Sequence, residues 1–272
     1  MATAATNIYE VLAIRYGSRP AVKSEVYLNF HLYGEPDDVI GMDYFVWVAR
    51  NAQRTIVVDT GFSANAGRRR GRPMVVTPVA ALAGLGIDPK AVTQVVATHG
   101  HYDHIGNLRA FPAAEVIMTR REYEFWTGPL GTRGHFAWTA EPRDVGDLRR
   151  IAAEGRLTLF EDSYSPAPGI DLLEVGGHTP GQAVAAAATA DGQAVIASDA
   201  VHYYEELERD RPFAVVADLP QMYRAYDQLR ELASQAGTEI VAGHDPAVCT
   251  RFPGRGAGSV YPRHVIQIAA LD

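Results

Sequence analysis

The chain has 272 residues, 47% hydrophobic and 21% charged, with a formal net charge of −7. That length buries a full core and fits one large domain or two small ones, while the acidic balance argues against a nucleic-acid partner, which requires a basic face. A single cysteine, Cys249, excludes an internal disulfide and suits a reducing compartment.

The N-terminus, MATAATNIYEVLAIRYG, lacks the basic-then-apolar pattern of a signal peptide. No apolar run approaches the roughly 18 residues of a membrane helix. A cytoplasmic protein with no membrane partner is expected. YFVWVA (44–49) and TIVVDTG (55–61) predict neighbouring strands, paired as a hairpin across 50–54. The run Arg68, Arg69, Arg70 and Arg72 lies among glycines and reads as a solvated loop. PVAALAGLG (78–86) predicts a short helix, with proline near its start and glycine at its end.

QVVATHG (94–100) is a buried strand, followed by a helix over IGNLRAFP stopped by Pro112. AEVIMT (114–119) is a strand and RREYEFW (120–126) a short helix. Residues 127–150 are weakly patterned and read as a long loop over the site. LTLFE, IDLLEVGG, QAVAAAATA and QAVIASDA predict four strands between 157 and 200. Met222, Ala225, Tyr226, Leu229, Leu232 and Ala233 repeat at helical spacing over 221–234, and TEIVAGHD (238–245) is the last strand. No low-complexity linker divides the chain. One α/β domain over 1–272 is expected, sheets inside and helices outside.

Polar residues fall where these strands end. His99 follows QVVAT, His178 follows DLLEVGG, Asp199 follows AVIAS and His244 follows EIVAG. Sites in α/β sheets lie beyond strand ends, so four such ends can converge. The densest group is HGHYDH, which sets His99, His101, Asp103 and His104 within six positions of a chain with nine histidines. Its chance occurrence is about 10⁻³ at this chain's composition. Alternation places His99 and His101 on one side of an extended backbone, with Asp103 and His104 on the next turn. Two metals therefore fit better than one. All-N/O donors suit zinc, and also manganese, iron or cobalt. Cys249 reads as a small buried hydrophobe.

HGHYDH (99–104), GGHTPG (176–181), SDA (198–200), AGHD (242–245) and VVDTG (57–61) together resemble the metallo-β-lactamase superfamily. The resemblance implies an αββα sandwich with two metals at one edge. It implies His99, His101 and His178 on one ion, Asp103, His104 and His244 on the other, Asp199 bridging, and Asp59 orienting the ligand loops. In length and motif the chain is most similar to the N-acyl homoserine lactonase family. That likeness implies attack of metal-bound hydroxide on a lactone carbonyl, with Asp103 shuttling a proton.

Members of that family carry a tyrosine three residues after the bridging aspartate. Here the position is His202, followed by Tyr203 and Tyr204; His202 can donate the same hydrogen bond and serve as an acid. Tyr44, Tyr203, Phe136 and Trp138 are candidate contacts to an apolar or cyclic small molecule, and His135 beside them reads as a loop residue. A homodimer is compatible with this composition. A hydrolase of another cyclic ester or amide, or a thioesterase of the glyoxalase II kind, shares the ligand pattern. The short stretch after His244 counts against the thioesterase, and the acidic balance against a nuclease. A non-catalytic metal-dependent ligand-binding protein is the alternative of a different class, to be told apart by whether a coordination position stays open.

Overall fold

The computed structural model describes residues 7–252 and 262–271, so the first six residues of the N-terminal stretch read above lie outside the described residues. Among the described residues, strands β1 (Glu10–Arg19), β2 (Met42–Arg50), β3 (Thr55–Val58), β4 (Gln94–Val96), β5 (Glu115–Thr119), β6 (Leu157–Phe160), β7 (Ser163–Ala167), β8 (Ile170–Glu174), β9 (Ala183–Thr189), β10 (Gly192–Ser198), β11 (Thr238–Ala242) and β12 (Val265–Ala269) form two sheets. One runs β12-β1-β2-β3-β4-β5-β6 and the other β11-β10-β9-β8-β7.

The strand sequences explain the layering. In β2, Phe45 and Trp47 enter the core between the sheets, where Val58, Val96, Ala185 and Val195 meet them. Tyr44, Val46 and Val48 alternate onto the opposite face, packed with Leu82, Leu148 and Ile151 from the outer helices. Both faces are covered, so β2 reads as a continuous apolar run rather than as alternation. On the second sheet, the helix Leu219–Ala233 buries Met222, Ala225, Tyr226 and Leu229, four of the residues its spacing predicted. The arrangement is the αββα sandwich expected. No helix among the described residues is long and apolar enough to cross a membrane.

Several expectations are corrected. The segment 127–150 is not a long loop: it folds as a turn at Leu130–Thr132 and helices Gly134–Ala137 and Pro142–Ala153. Pro142 starts the last of these, and Val145, Leu148 and Ile151 are its buried stripe. The five Arg and Asp residues among them diluted that signal. The arginine run is not a loop either. It closes the helix Ala64–Arg70, begun by the Ser63 hydroxyl accepting from Ala66 N and ended by Gly71 at φ 62°. The predicted helix over IGNLRAFP is two short pieces, Tyr102–Ile105 and a 3₁₀ turn at Leu108–Ala110. β1, β7 and β12 were not anticipated, and LTLFE pairs as the edge of the first sheet rather than with its three successors.

Strand directions gather the site. β3 and β4 are parallel, so residues following Val58 and Val96 emerge at one edge. β8 and β10 are both antiparallel to β9, and β11 is parallel to β10. Their C-terminal ends therefore also share an edge, and deliver His178, Asp199 and His244 to it.

Candidate metal centre

Five imidazoles and two carboxylates meet at that edge. His99, His101, His178 and Asp199 form one buried group of potential ligand atoms within 4.8 Å of one another, and Asp103, His104 and His244 form a second. Asp199 lies between them. Its Oδ2 is 3.7 Å from His99 Nε2 and 3.3 Å from His178 Nε2, while its Oδ1 is 3.1 Å from His104 Nε2 and 3.2 Å from His244 Nε2. One carboxylate oxygen thus faces each nest. Asp103 approaches the second nest, 3.9 Å from His104 Nε2 and 4.0 Å from His244 Nε2.

Four of the five rings are held by their other nitrogen, whereas His101 turns Nδ1 into the nest, 2.9 Å from His178 Nε2. His104 Nδ1 donates to Asp59 Oδ2 at 2.8 Å, His178 Nδ1 to the Val215 carbonyl at 2.8 Å and His244 Nδ1 to the Asp43 carbonyl at 2.7 Å. His99 Nδ1 sits 3.2 Å from the Thr98 hydroxyl. Such contacts fix the tautomer and leave the Nε2 lone pairs aimed inward. Burial, reinforced by neighbouring imidazoles, holds His99 and His178 far below the usual histidine range, and burial brings His101 down to about 3. They are neutral, as ligands must be. Burial also opposes charge on His104, but Asp199, Asp59 and Asp103 outweigh it and raise its pKa. That local excess of carboxylate is what divalent cations offset.

The donors fit two cations on a second ground. His99 Nε2, His104 Nε2 and Asp199 Oδ1 are buried with no hydrogen-bond partner among the described residues. Orphaned polar atoms cost about 1–3 kcal/mol each. Distributed over both nests, with the rings already tethered, they make a site built to be filled.

Asp59 is fully buried and ties three loops together. Its carboxylate accepts from Thr98 N at 2.9 Å, the Thr98 hydroxyl at 2.8 Å and the Ser198 hydroxyl at 3.0 Å, besides His104. Sequence reasoning missed a counterpart, Glu122. It accepts from Gly100 N at 2.8 Å, Gly181 N at 2.9 Å and Trp126 Nε1 at 2.6 Å, and so stitches the HGHYDH loop to the GGHTPG loop. Gly100 has to be glycine, because a Cβ there would lie 2.2 Å from Trp126 Cδ1.

His202 is fully buried, not on the surface. Its ring stacks on Phe213 at 3.6 Å, with Nε2 3.1 Å from Asp199 Oδ2 and Nδ1 3.3 Å from Glu206 Oε1. Glu206, also unanticipated, is itself fixed by the Tyr226 hydroxyl at 2.6 Å. A cavity of about 300 Å³ opens over the nests, lined by Tyr44, Asp103, Asp199, His202, Phe213 and Trp138 among others. An adjoining apolar pocket of about 60 Å³ is lined by Phe125, Trp126, Phe136 and Trp138, with the exposed His135 at its rim. Tyr203 does not line the cavity. Its hydroxyl donates to the Gly41 carbonyl at 2.7 Å and its ring lies edge-on to Tyr27.

Residues 39–244 match the model of the metallo-beta-lactamase superfamily. The N-acyl homoserine lactonase AttM of Azorhizobium caulinodans is 32% identical over 186 residues, 64% of this chain and 66% of that relative, so the chain spans just under two thirds of its length. The N-acyl homoserine lactonase AiiA of Bacillus thuringiensis subsp. kurstaki is 24% identical over 236 residues, covering 80% and 88%. A crystal structure of a quorum-quenching N-acyl homoserine lactone lactonase superposes with a TM-score of 0.74 at 23% identity, over 88% of this chain and 93% of that one. AidC, a dizinc quorum-quenching lactonase, superposes with a TM-score of 0.69 at 16% identity, over 98% and 96%. At these identities the superpositions speak for the sandwich fold. The family match spans most of the chain and contains every residue of both nests: the chain belongs to the metallo-β-lactamase superfamily.

Proposed function

We propose that the protein is a dinuclear metallohydrolase that opens a lactone or a related cyclic ester or amide. The observation that carries this reading is the Asp199 carboxylate, split between two nests of tethered imidazoles. The seven expected ligands would hold the ions as the grouping suggests: His99, His101 and His178 on one, Asp103, His104 and His244 on the other, Asp199 shared. Zinc is the proposed metal, and the N/O donor set accommodates manganese, iron or cobalt. Two such ions supply, when bound, Lewis acidity and ionised water at neutral pH.

The chain's own groups do the rest. Asp103 is 8% exposed and reaches the cavity, where its carboxylate can take the proton of the attacking water and return it to the leaving alkoxide. His202, stacked on Phe213 with Nδ1 toward Glu206, lines the cavity beside Asp199, where its Nε2–H can donate to a substrate carbonyl oxygen. The adjoining pocket of Phe125, Phe136 and Trp138 takes an apolar substituent and shields the reacting bond from water. The lactonase relatives support the choice of bond. The buried Cys249 suits a reducing compartment, and the cytoplasm is the proposed location, with 1–272 acting as one unit.

The test is to load the protein with zinc and follow proton release on a panel of lactones, thioesters and phosphodiesters. Lactone turnover is expected, and His202→Phe should lower kcat with both metals retained. If lactones are untouched while another class turns over, the reading fails.

A further inference from the structure

We propose that the mouth of the cavity is an anion subsite centred on Arg72, so that the preferred substrate carries a carboxylate beside the ring to be opened. The inference rests on the lactone-opening reading and names a substrate class for it. In a chain of net charge −7, the cavity above Asp103 and Asp199 is nevertheless lined by three arginines, Arg19, Arg70 and Arg72, against one further carboxylate, Glu25, which Arg19 engages.

Their commitments differ. Arg70 is used up in structure: Nε donates to Glu141 at 2.9 Å, NH1 to the Trp138 carbonyl at 2.7 Å and NH2 to the Ala140 carbonyl at 3.2 Å, with Cζ 4.1 Å over the Tyr102 ring. It ties the Trp138 segment to its own helix. Arg19 pairs with Glu25 at 3.0 Å and donates to the Pro20 carbonyl and the Tyr44 hydroxyl. The Arg72 guanidinium makes one hydrogen bond, 3.4 Å from Nε to the Tyr102 hydroxyl, and no carboxylate of the described residues lies within 4.0 Å of it. A guanidinium carries five N–H donors in a planar fork, so four remain for a planar acceptor such as carboxylate.

The backbone holds this cation in place. Gly71 at φ 62° turns the chain after the helix Ala64–Arg70, and Arg72 N donates to the Gly67 carbonyl at 2.8 Å. That C-terminal cap is a rigid mount, not a mobile loop. The cation faces the cavity on the side of Tyr44 and Tyr102, while the apolar pocket opens beyond Trp138. A substrate spanning both places would be anionic at one end and apolar at the other, with the ring over the nests.

The experiment uses the zinc-loaded full chain and one ring in two forms: 5-oxotetrahydrofuran-2-carboxylate and its methyl ester, both scored for ring opening. The acid is expected to exceed the ester at least tenfold in kcat/KM at low salt, mostly through KM, and the ratio should shrink as salt rises. Arg72→Met should lower that ratio about tenfold, and Arg72→Lys should restore part of it, because lysine returns the charge without the fork. Equal rates for acid and ester, or a ratio that Arg72→Met leaves unchanged, would overturn the subsite. The second result would mean that the acid is selected by the metals alone. If Arg72→Met does not fold, as judged by its melting curve and zinc content, Arg72→Gln takes its place, with the same tenfold loss of the ratio expected and an unchanged ratio overturning the subsite. If neither compound is opened while another ester class turns over, the lactone reading has failed. The subsite is then judged by whether glutarate inhibits that turnover at least tenfold better than its dimethyl ester.

Discussion

Asp59→Asn isolates the role of a single buried charge. Asp59 sits at φ 60°, a left-handed conformation that asparagine tolerates as well as aspartate, so the backbone strain is unchanged. The amide oxygen can stay opposite Thr98 N, 2.9 Å from Oδ1. The amide nitrogen then replaces Oδ2, which accepts from His104 Nδ1 at 2.8 Å and Ser198 Oγ at 3.0 Å. Two donors would face each other unless His104 changes tautomer, which puts its proton on Nε2 and removes the lone pair facing Asp199. A hydrogen bond to a charged group contributes about 1.5–3 kcal/mol. Losing it here should lower the stability of the metal-loaded protein by about 3 kcal/mol, or about 5–10 °C in Tm for a chain of this size. The affinity of the nest containing His104 should fall about 10–100-fold. Elemental analysis after dialysis against a competing chelator reads the second effect, and calorimetry the first. An Asn variant that keeps two ions at wild-type affinity and melts within 1–2 °C of the parent would refute the orienting role of Asp59.

Two further perturbations test the frame around the site. Gly100→Ala would set a Cβ 2.5 Å from Trp126 Nε1, which already donates to buried Glu122, so the ring cannot yield without breaking that bond; a loss of about 2–3 kcal/mol is expected in denaturant titrations, and a neutral result would contradict the packing described. Asp144 is held up to about 7 by burial and then by Glu141 and Asp147, with Oδ2 unpartnered. Its folded pKa lies above its unfolded one, so its contribution is complete below about pH 4 and is lost as pH rises through 7. Asp144→Asn should therefore stabilise the protein by about 2 kcal/mol at pH 8 and by little at pH 4, as read by urea unfolding; an equal effect at both would dismiss the ionisation.

Much of the centre was legible because its signal is local. Metal-capable residues sit one to four positions past apolar runs, and the runs are read from the side chains that fill both faces of each strand. The gathering of the ends of β3, β4, β8, β10 and β11 at a common edge then follows from strand directions. What escaped depends on contacts distant in sequence. Glu122 lies in a short helix and serves Gly100 and Gly181, 22 and 59 positions away, so its own neighbourhood carries no mark of the role. The helix Pro142–Ala153 was masked because Asp144 and Asp147 are buried with its apolar stripe, Asp147 being matched by Arg109 at 2.6 Å. The arginine run looked like solvated charge because its outward members, Arg68 and Arg69, cannot be told in sequence from Arg70, which turns inward at the helix end, and Arg72, which does so after the Gly71 cap.

The same edge concentrates strain. Asp59 at φ 60° and Ser198 at φ 47° are non-glycine residues in the left-handed region, and each directly follows or ends a central strand. For an ordinary residue that conformation costs about 1–2 kcal/mol. Glycine at 198 would relieve the backbone but would remove the hydroxyl that bonds Asp59 at 3.0 Å and Thr98 at 2.9 Å. Gly243 meets Ser198 from the other side, where a Cβ would lie 2.5 Å from the Ser198 carbonyl oxygen. Two tight turns from different sheets are therefore locked together by one buried carboxylate and two hydroxyls. Releasing the strain would unlock the loops that carry His99, His104 and Asp199. The polar network thus offsets a backbone the sandwich alone would not favour. Metal loading should accordingly stabilise this edge more than the Trp47 core behind it, as read by amide hydrogen exchange with and without zinc.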